Sequence, residues 1–86
     1  MSIYKKAIEK WGAEAQKKKA IEECMELARA VLKDDRENVI EEIADVTAMI
    51  RQLRIIYNIT LQETHDSFET KQKKLRKILE ESGRDE

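Results

Sequence analysis

No proline interrupts the 86 residues of this sequence, and only two glycines do. A chain so poor in turn-forming residues has little scope for a β architecture, whereas the Glu, Lys, Ala, Leu and Ile that abound here favour helix. Its apolar residues recur at spacings of three and four, the period of a helix packed on one side. Ala20, Ile21, Cys24, Met25, Leu27, Ala28, Val31 and Leu32 mark such a face over about 13–33. Val39, Ile43, Val46, Ile50, Leu53 and Tyr57 mark another over about 37–57. A short helix over about 3–11, stopped by Gly12, precedes them. A fourth follows the capping box Thr60-Leu61-Gln62-Glu63, with Leu61, His65, Phe68, Leu75 and Leu79 on one face. In the polar break Asp34-Asp35-Arg36-Glu37-Asn38, Asp34 and Glu37 have the acidic form of the capping-box spacing, and Asn58 suits the left-handed stop of the third helix. The polar tail over 81–86 is expected to fray. Short connections make the long helices antiparallel neighbours, so the sequence predicts one all-α domain over 1–86, a compact four-helix bundle subunit.

Charge and composition remove several functional classes. Acidic and basic residues nearly balance, 18 against 17, for a net charge of −1. That leaves no basic footprint for nucleic acid, and the lysines of the last helix are interleaved with acids and short of aromatics. No run of about 18 apolar residues is present to cross a membrane. The start Met1-Ser2-Ile3-Tyr4-Lys5-Lys6 lacks the apolar core of a secretory signal, and one cysteine, Cys24, agrees with a reducing compartment, so a cytoplasmic location is expected. A domain this small buries only about 60–65% of its unfolded surface, and oligomerisation is expected to supply part of the core.

Carboxylates occupy positions where the core should be. Read as heptads, the third helix places Val39, Glu42, Val46, Met49, Leu53 and Ile56 at alternating a and d positions, five apolar residues and one glutamate. An ionised carboxylate there costs several kcal/mol of lost hydration, on the order found for buried charges, unless a cation or donor meets it. Asp45, three residues after Glu42, projects from the same side of the helix. Glu22, Glu23 and Glu26 form a counterpart on the second helix, beside its apolar sector. Packed antiparallel, the two ledges converge into a group of acids that repel one another without a cation. Hard oxygen ligands with no sulfur or imidazole among them suit Mg²⁺ or Mn²⁺ and not zinc.

Glu22-Glu23-Cys24-Met25-Glu26 is an EExxE motif, and Glu42-Ile43-Ala44-Asp45 an ExxD motif. The ordered pair on adjacent helices resembles the signature of the MazG-like, all-α nucleoside triphosphate pyrophosphohydrolase superfamily. Lys19-Ala20-Ile21, Val46 and the upstream Trp11-Gly12 with Ala15-Gln16 are similar to family sequence too. The resemblance implies Mg²⁺-dependent hydrolysis of a (deoxy)nucleoside triphosphate to the monophosphate and pyrophosphate, as a housecleaning activity on the nucleotide pool. It implies a homodimer or homotetramer that completes the active site. By position, Glu23, Glu26, Glu42 and Asp45 would be metal ligands, and Glu22 either a further ligand or the base that orients the attacking water. The family often sets Lys, Asn or Arg of its last helix against the phosphates. Lys71 and then Lys74 fill that place here, although the family's Asn-plus-Arg pattern is missing. Trp11 is a candidate to cover the base and Met49, one turn after Asp45, to line its pocket.

Plainer readings stand beside these. The acids of the second helix could be a solvated face paired with lysines, Glu42 a buried polar group that sets oligomer register, His65 a core or interface residue, and Cys24 a small buried apolar one. Lys17, Lys18 and Lys19 suit a solvated face better than a phosphate site. Two rival functions remain. Phosphoribosyl-ATP pyrophosphohydrolases have a similar bundle and similar acids, although no histidine follows Asp45 closely here. A non-catalytic oligomeric helical adaptor is the other.

Overall fold

The computed structural model describes residues 2–84, without the side chain of Arg84. It contains α1 (Ile3–Trp11), α2 (Ala13–Leu32), α3 (Arg36–Ile56) and α4 (Leu61–Arg84). The all-α, four-helix expectation holds, with boundaries within a residue of those predicted for the first three helices. The tail expected to fray is helical as far as Arg84, while Asp85 and Glu86 lie outside the described residues. Among the described residues no helix is long and apolar enough to cross a membrane.

Local chemistry sets the helix ends. Ser2 caps α1 by accepting from the Lys5 N–H at 3.2 Å. Gly12 both ends α1 and opens α2 within a single residue; its φ of 90° is one that side-chain-bearing residues rarely adopt, and its N–H donates to the Ile8 carbonyl at 2.8 Å. Between α2 and α3 the cap sits one residue later than the spacing suggested. Asp34 takes a left-handed φ of 53°, and Asp35 accepts from the Asn38 N–H at 3.3 Å. Asp34 is thus consumed by the stop of α2, and the adjacent Asp35 is free to start α3. Asn58 adopts φ 53° and Thr60 forms the expected box, its N–H donating to Glu63 at 2.7 Å while its hydroxyl accepts from the Glu63 N–H at 3.1 Å.

Among the described residues only three helices pack together. The three-residue link at 33–35 folds α3 back along α2 in an extensive antiparallel contact, and α1 lies against both; α4 packs on none of them. Compactness therefore belongs to α1, α2 and α3, not to the whole chain. The radius of gyration is 16.7 Å, against about 12 Å for a compact domain of this length. The seam between α2 and α3 buries Ala20, Ala30 and Met49 with the polar Gln16 and Gln52. Small alanines let the helices approach closely, yet among the described residues no large side chain is fully enclosed. Long apolar side chains on the outer faces stay in solvent, among them Ile21, Met25, Leu32, Ile50, Phe68 and Leu79. Cys24 is exposed as well, contrary to the buried position expected for it, because the outer face of α2 has nothing packed on it within one chain.

Candidate metal centre

The antiparallel seam carries Gln16 and Ala20 of α2 alongside Gln52 and Met49 of α3, and one turn further Glu23 meets Glu42 and Asp45. These three residues each offer a carboxylate oxygen, and the oxygens lie within 4.8 Å of one another. The pairing follows from the spacings: acids at i and i+3 on α3 project to the side that α2 covers. Glu23 has a side chain only 14% exposed, Glu42 is half-buried and Asp45 is exposed at the mouth. The cluster thus opens from the helix seam to solvent.

Electrostatically the group is under-compensated. Lys19 places its ammonium 3.2 Å from Glu23, one helical turn away. The Glu23 hydrogen bond and charge, with weaker contributions from Glu22 and Asp45, hold the Lys19 pKa above its ordinary value. Glu26 is half-buried and taken up by the guanidinium of Arg29. Glu22 is exposed, and among the described residues it has no ion-pair partner. Among the described residues Glu42 has no ion-pair partner. Lost hydration first, and then the charges of Glu23, Asp45 and Glu26, push its carboxyl above the usual range. A protonated Glu42 can share its hydrogen with Glu23. Once both are ionised no donor remains, and the buried Oε2 of Glu42 has no hydrogen-bond partner.

That orphaned oxygen tests the fit of a divalent cation. Mg²⁺ sits about 2.1 Å from each ligand, which keeps its ligand oxygens within roughly 4.2 Å of one another. Three carboxylates already gathered within 4.8 Å need little movement to meet that span. The donors are all oxygen, and their excess negative charge is what a hard cation neutralises. The residues fit.

A pH dependence follows. The folded Glu42 pKa is raised, so the folded state holds the proton more tightly than the unfolded chain. This group's contribution to stability is complete below its unfolded pKa and is lost as pH rises through the elevated folded value. In chelator-treated protein the melting temperature is expected to fall as pH climbs from the acid range towards neutrality. Glu42→Gln is expected to flatten that slope in a calorimetric pH series, and an unchanged slope in the variant would assign it to other groups.

The remaining sequence candidates are more scattered. Met49 is buried beneath the acids at 6% exposure, its sulfur accepting from the Gln52 amide at 3.8 Å. Trp11 is exposed at the end of α1, with the Lys10 ammonium 5.4 Å from its ring, and lines a separate hollow with Ile3, Lys6 and Ala7. Lys71 and Lys74 are exposed on α4 and are not brought to the acids within one chain. His65 is also exposed there, 3.1 Å from Glu69. Lys19 is exposed, as the solvated-face reading has it, and its i,i+4 spacing brings its ammonium to Glu23 at the rim of the cluster. Gln52 is a buried polar residue whose Oε1 lacks a partner, and no spacing signals it.

A family model describing the MazG nucleotide pyrophosphohydrolase domain matches residues 12–78, which take in α2, α3 and most of α4. No curated protein and no solved structure matches the chain.

Proposed function

The chain belongs to the MazG nucleotide pyrophosphohydrolase family, and from that membership we propose that it hydrolyses a nucleoside triphosphate between the α and β phosphates, releasing the monophosphate and pyrophosphate with Mg²⁺, or Mn²⁺ in its place. The observation that carries this reading is Glu42, a carboxylate in the helix seam that has a buried, unpartnered oxygen and offers a ligand atom alongside Glu23 and Asp45.

Glu23, Glu42 and Asp45 would hold the cation, joined by Glu26 when it releases Arg29. Bound there, a divalent ion offsets the triphosphate charge, polarises the phosphorus and lowers the pKa of a coordinated water. Glu22, exposed and outside any ion pair, orients the attacking water and takes its proton. Lys19 shields Glu23 until a cation binds and stands at the rim to meet a phosphate oxygen. Lys71 and Lys74 serve the phosphates from α4, where charge develops on departing pyrophosphate. Met49 forms the floor one turn below Asp45, and Trp11 offers an exposed ring to a base. The substrate is a canonical, deoxy or non-standard nucleotide, the role is cytoplasmic housecleaning of the pool, and the working form is a homodimer or homotetramer. The uncovered apolar faces of α2 and α4 support that assembly.

The test is a panel of canonical and damaged (d)NTPs with Mg²⁺, resolving monophosphate, diphosphate, pyrophosphate and phosphate. Monophosphate and pyrophosphate in equal amounts are expected. Diphosphate with phosphate would overturn the choice of bond. No turnover of any nucleotide, with turnover of phosphoribosyl-ATP, would move the protein to that activity. Inertness towards both would favour the adaptor.

A further inference from the structure

The two acids that α2 brings to the seam fare differently beside their basic neighbours. Lys19 lies one turn before Glu23, with its ammonium 3.2 Å from Oε1, and Glu23 still offers an oxygen to the group it forms with Glu42 and Asp45. Arg29 lies one turn after Glu26 and donates from Nη1 to its Oε1. Glu26 stands outside the 4.8 Å group. Its charge nevertheless reaches Glu42, more weakly than those of Glu23 and Asp45. Spacing along the helix does not account for the difference. Glu23 and Glu26 are three residues apart and project from the same side of α2, as Glu42 and Asp45 do on α3. What sets Glu26 apart is the guanidinium that holds it.

That hold is readily exchanged. The side chains of Arg29 and Glu26 are 57% and 47% exposed, and an ion pair of such exposure favours the paired state by no more than a factor of about five. Once released, the guanidinium remains in water at the helix surface, so no charge is stranded in the seam. A divalent ion seated among Glu23, Glu42 and Asp45 offers Glu26 twice the charge that Arg29 does, and it does so in a less solvated place.

We propose that Arg29 is a built-in lock on the fourth carboxylate. In the metal-free centre three acids are gathered and Arg29 holds Glu26 aside; a divalent cation takes Glu26 in exchange for the guanidinium. Arg29 is a positioning residue, acting on the ion through Glu26 and touching neither ion nor substrate. The inference rests on the cation reading of the seam and adds a control to it. The affinity of the centre is set below that of four free carboxylates by the amount the Arg29 pair resists exchange.

Nuclear magnetic resonance of ¹³C,¹⁵N-labelled protein tests the lock without any turnover. The Nε–Hε signal of Arg29 is identified by its loss in Arg29→Lys. Before metal is added, this signal is expected to differ between wild type and Glu26→Gln, in which the ion pair cannot form. Saturating Mg²⁺, a diamagnetic ion, is expected to carry the wild-type signal to its Glu26→Gln position while the carboxyl carbons of Glu26, Glu42 and Asp45 move. Movement at Glu42 and Asp45 with Glu26 and Arg29 unmoved would overturn the lock and leave a three-carboxylate centre standing. No movement at any of these acids would overturn the centre along with the lock, so the two failures are told apart. Affinity for Mn²⁺ gives an independent measure. Arg29→Gln is expected to bind the ion about 2- to 5-fold more tightly than wild type, and the same substitution made in Glu26→Gln to gain clearly less. No gain, or an equal gain in both backgrounds, would trace the effect of Arg29 to its charge alone and overturn the exchange.

Discussion

Glu42→Gln is expected to abolish turnover while raising the melting temperature of the metal-free protein. Both effects have one origin. The Glu42 carboxylate sits half-buried in the α2–α3 seam with Glu23 and Asp45 close by, and its Oε2 has no donor. The amide has the same shape and no charge, so the repulsion that raises the Glu42 pKa disappears, and its N–H₂ can donate to Glu23. A gain of a few degrees is expected in chelator-treated samples. Turnover should drop at least about 10³-fold, since a ligand that anchors charge stabilisation worth several kcal/mol is lost. A change that strengthens the fold and removes the activity is the mark of a site held against the interest of stability. An equally active variant would end the assignment, and a destabilised one would show that Glu42 is held by a contact rather than repelled.

The second large effect is stabilisation of wild type by Mg²⁺. A ligand bound only by the folded state adds about 2.7 kcal/mol at one hundred times its dissociation constant. For a chain of this size that corresponds to a rise of roughly 11–22 °C. The increment has two physical sources here, filling the orphaned valence of Glu42 and removing repulsion among the acids. It is therefore expected to vanish in Glu42→Gln and to shrink in Asp45→Asn. Sodium chloride at the same ionic strength controls for general screening of surface charge, which depends on ionic strength and not on a site that gathers three carboxylates. A Mg²⁺ effect of equal size in wild type and Glu42→Gln would trace it to the surface and leave the adaptor reading ahead.

How far the sequence was legible depended on how local the governing interactions were. Thr60 and Glu63 act across a single turn, and their box forms as expected. Asp34 and Asp35 show the limit of that legibility, since either could cap α3 and only the left-handed turn at Asp34 decides between them. Glu42 was legible because a charge at a heptad core position has no reading as ordinary surface, and Asp45 followed from the three-residue spacing. Glu22, Glu23 and Glu26 were legible only as a group. The seam distinguishes them, enclosing Glu23, partly covering Glu26 and leaving Glu22 exposed. Lys19 pairs with Glu23 across one turn of the same helix, a contact that its spacing alone makes legible. Least legible was α4. Its amphipathic pattern announces a partner without identifying it, and within one chain no helix answers. The exposure of Cys24 is the counterpart of that missing contact on the face of α2.

The central claim is that the carboxylates in the seam form a cation site and not a strained piece of core. Electron paramagnetic resonance of a Mn²⁺ titration tests it most directly, because the signal of the free ion disappears as the ion binds. Wild type is expected to deplete that signal saturably, with Mg²⁺ competing, and Glu42→Gln to leave it close to that of buffer. Equal depletion by the two proteins would contradict the account and return Glu42 to the role of a buried polar residue that sets the register of the assembly.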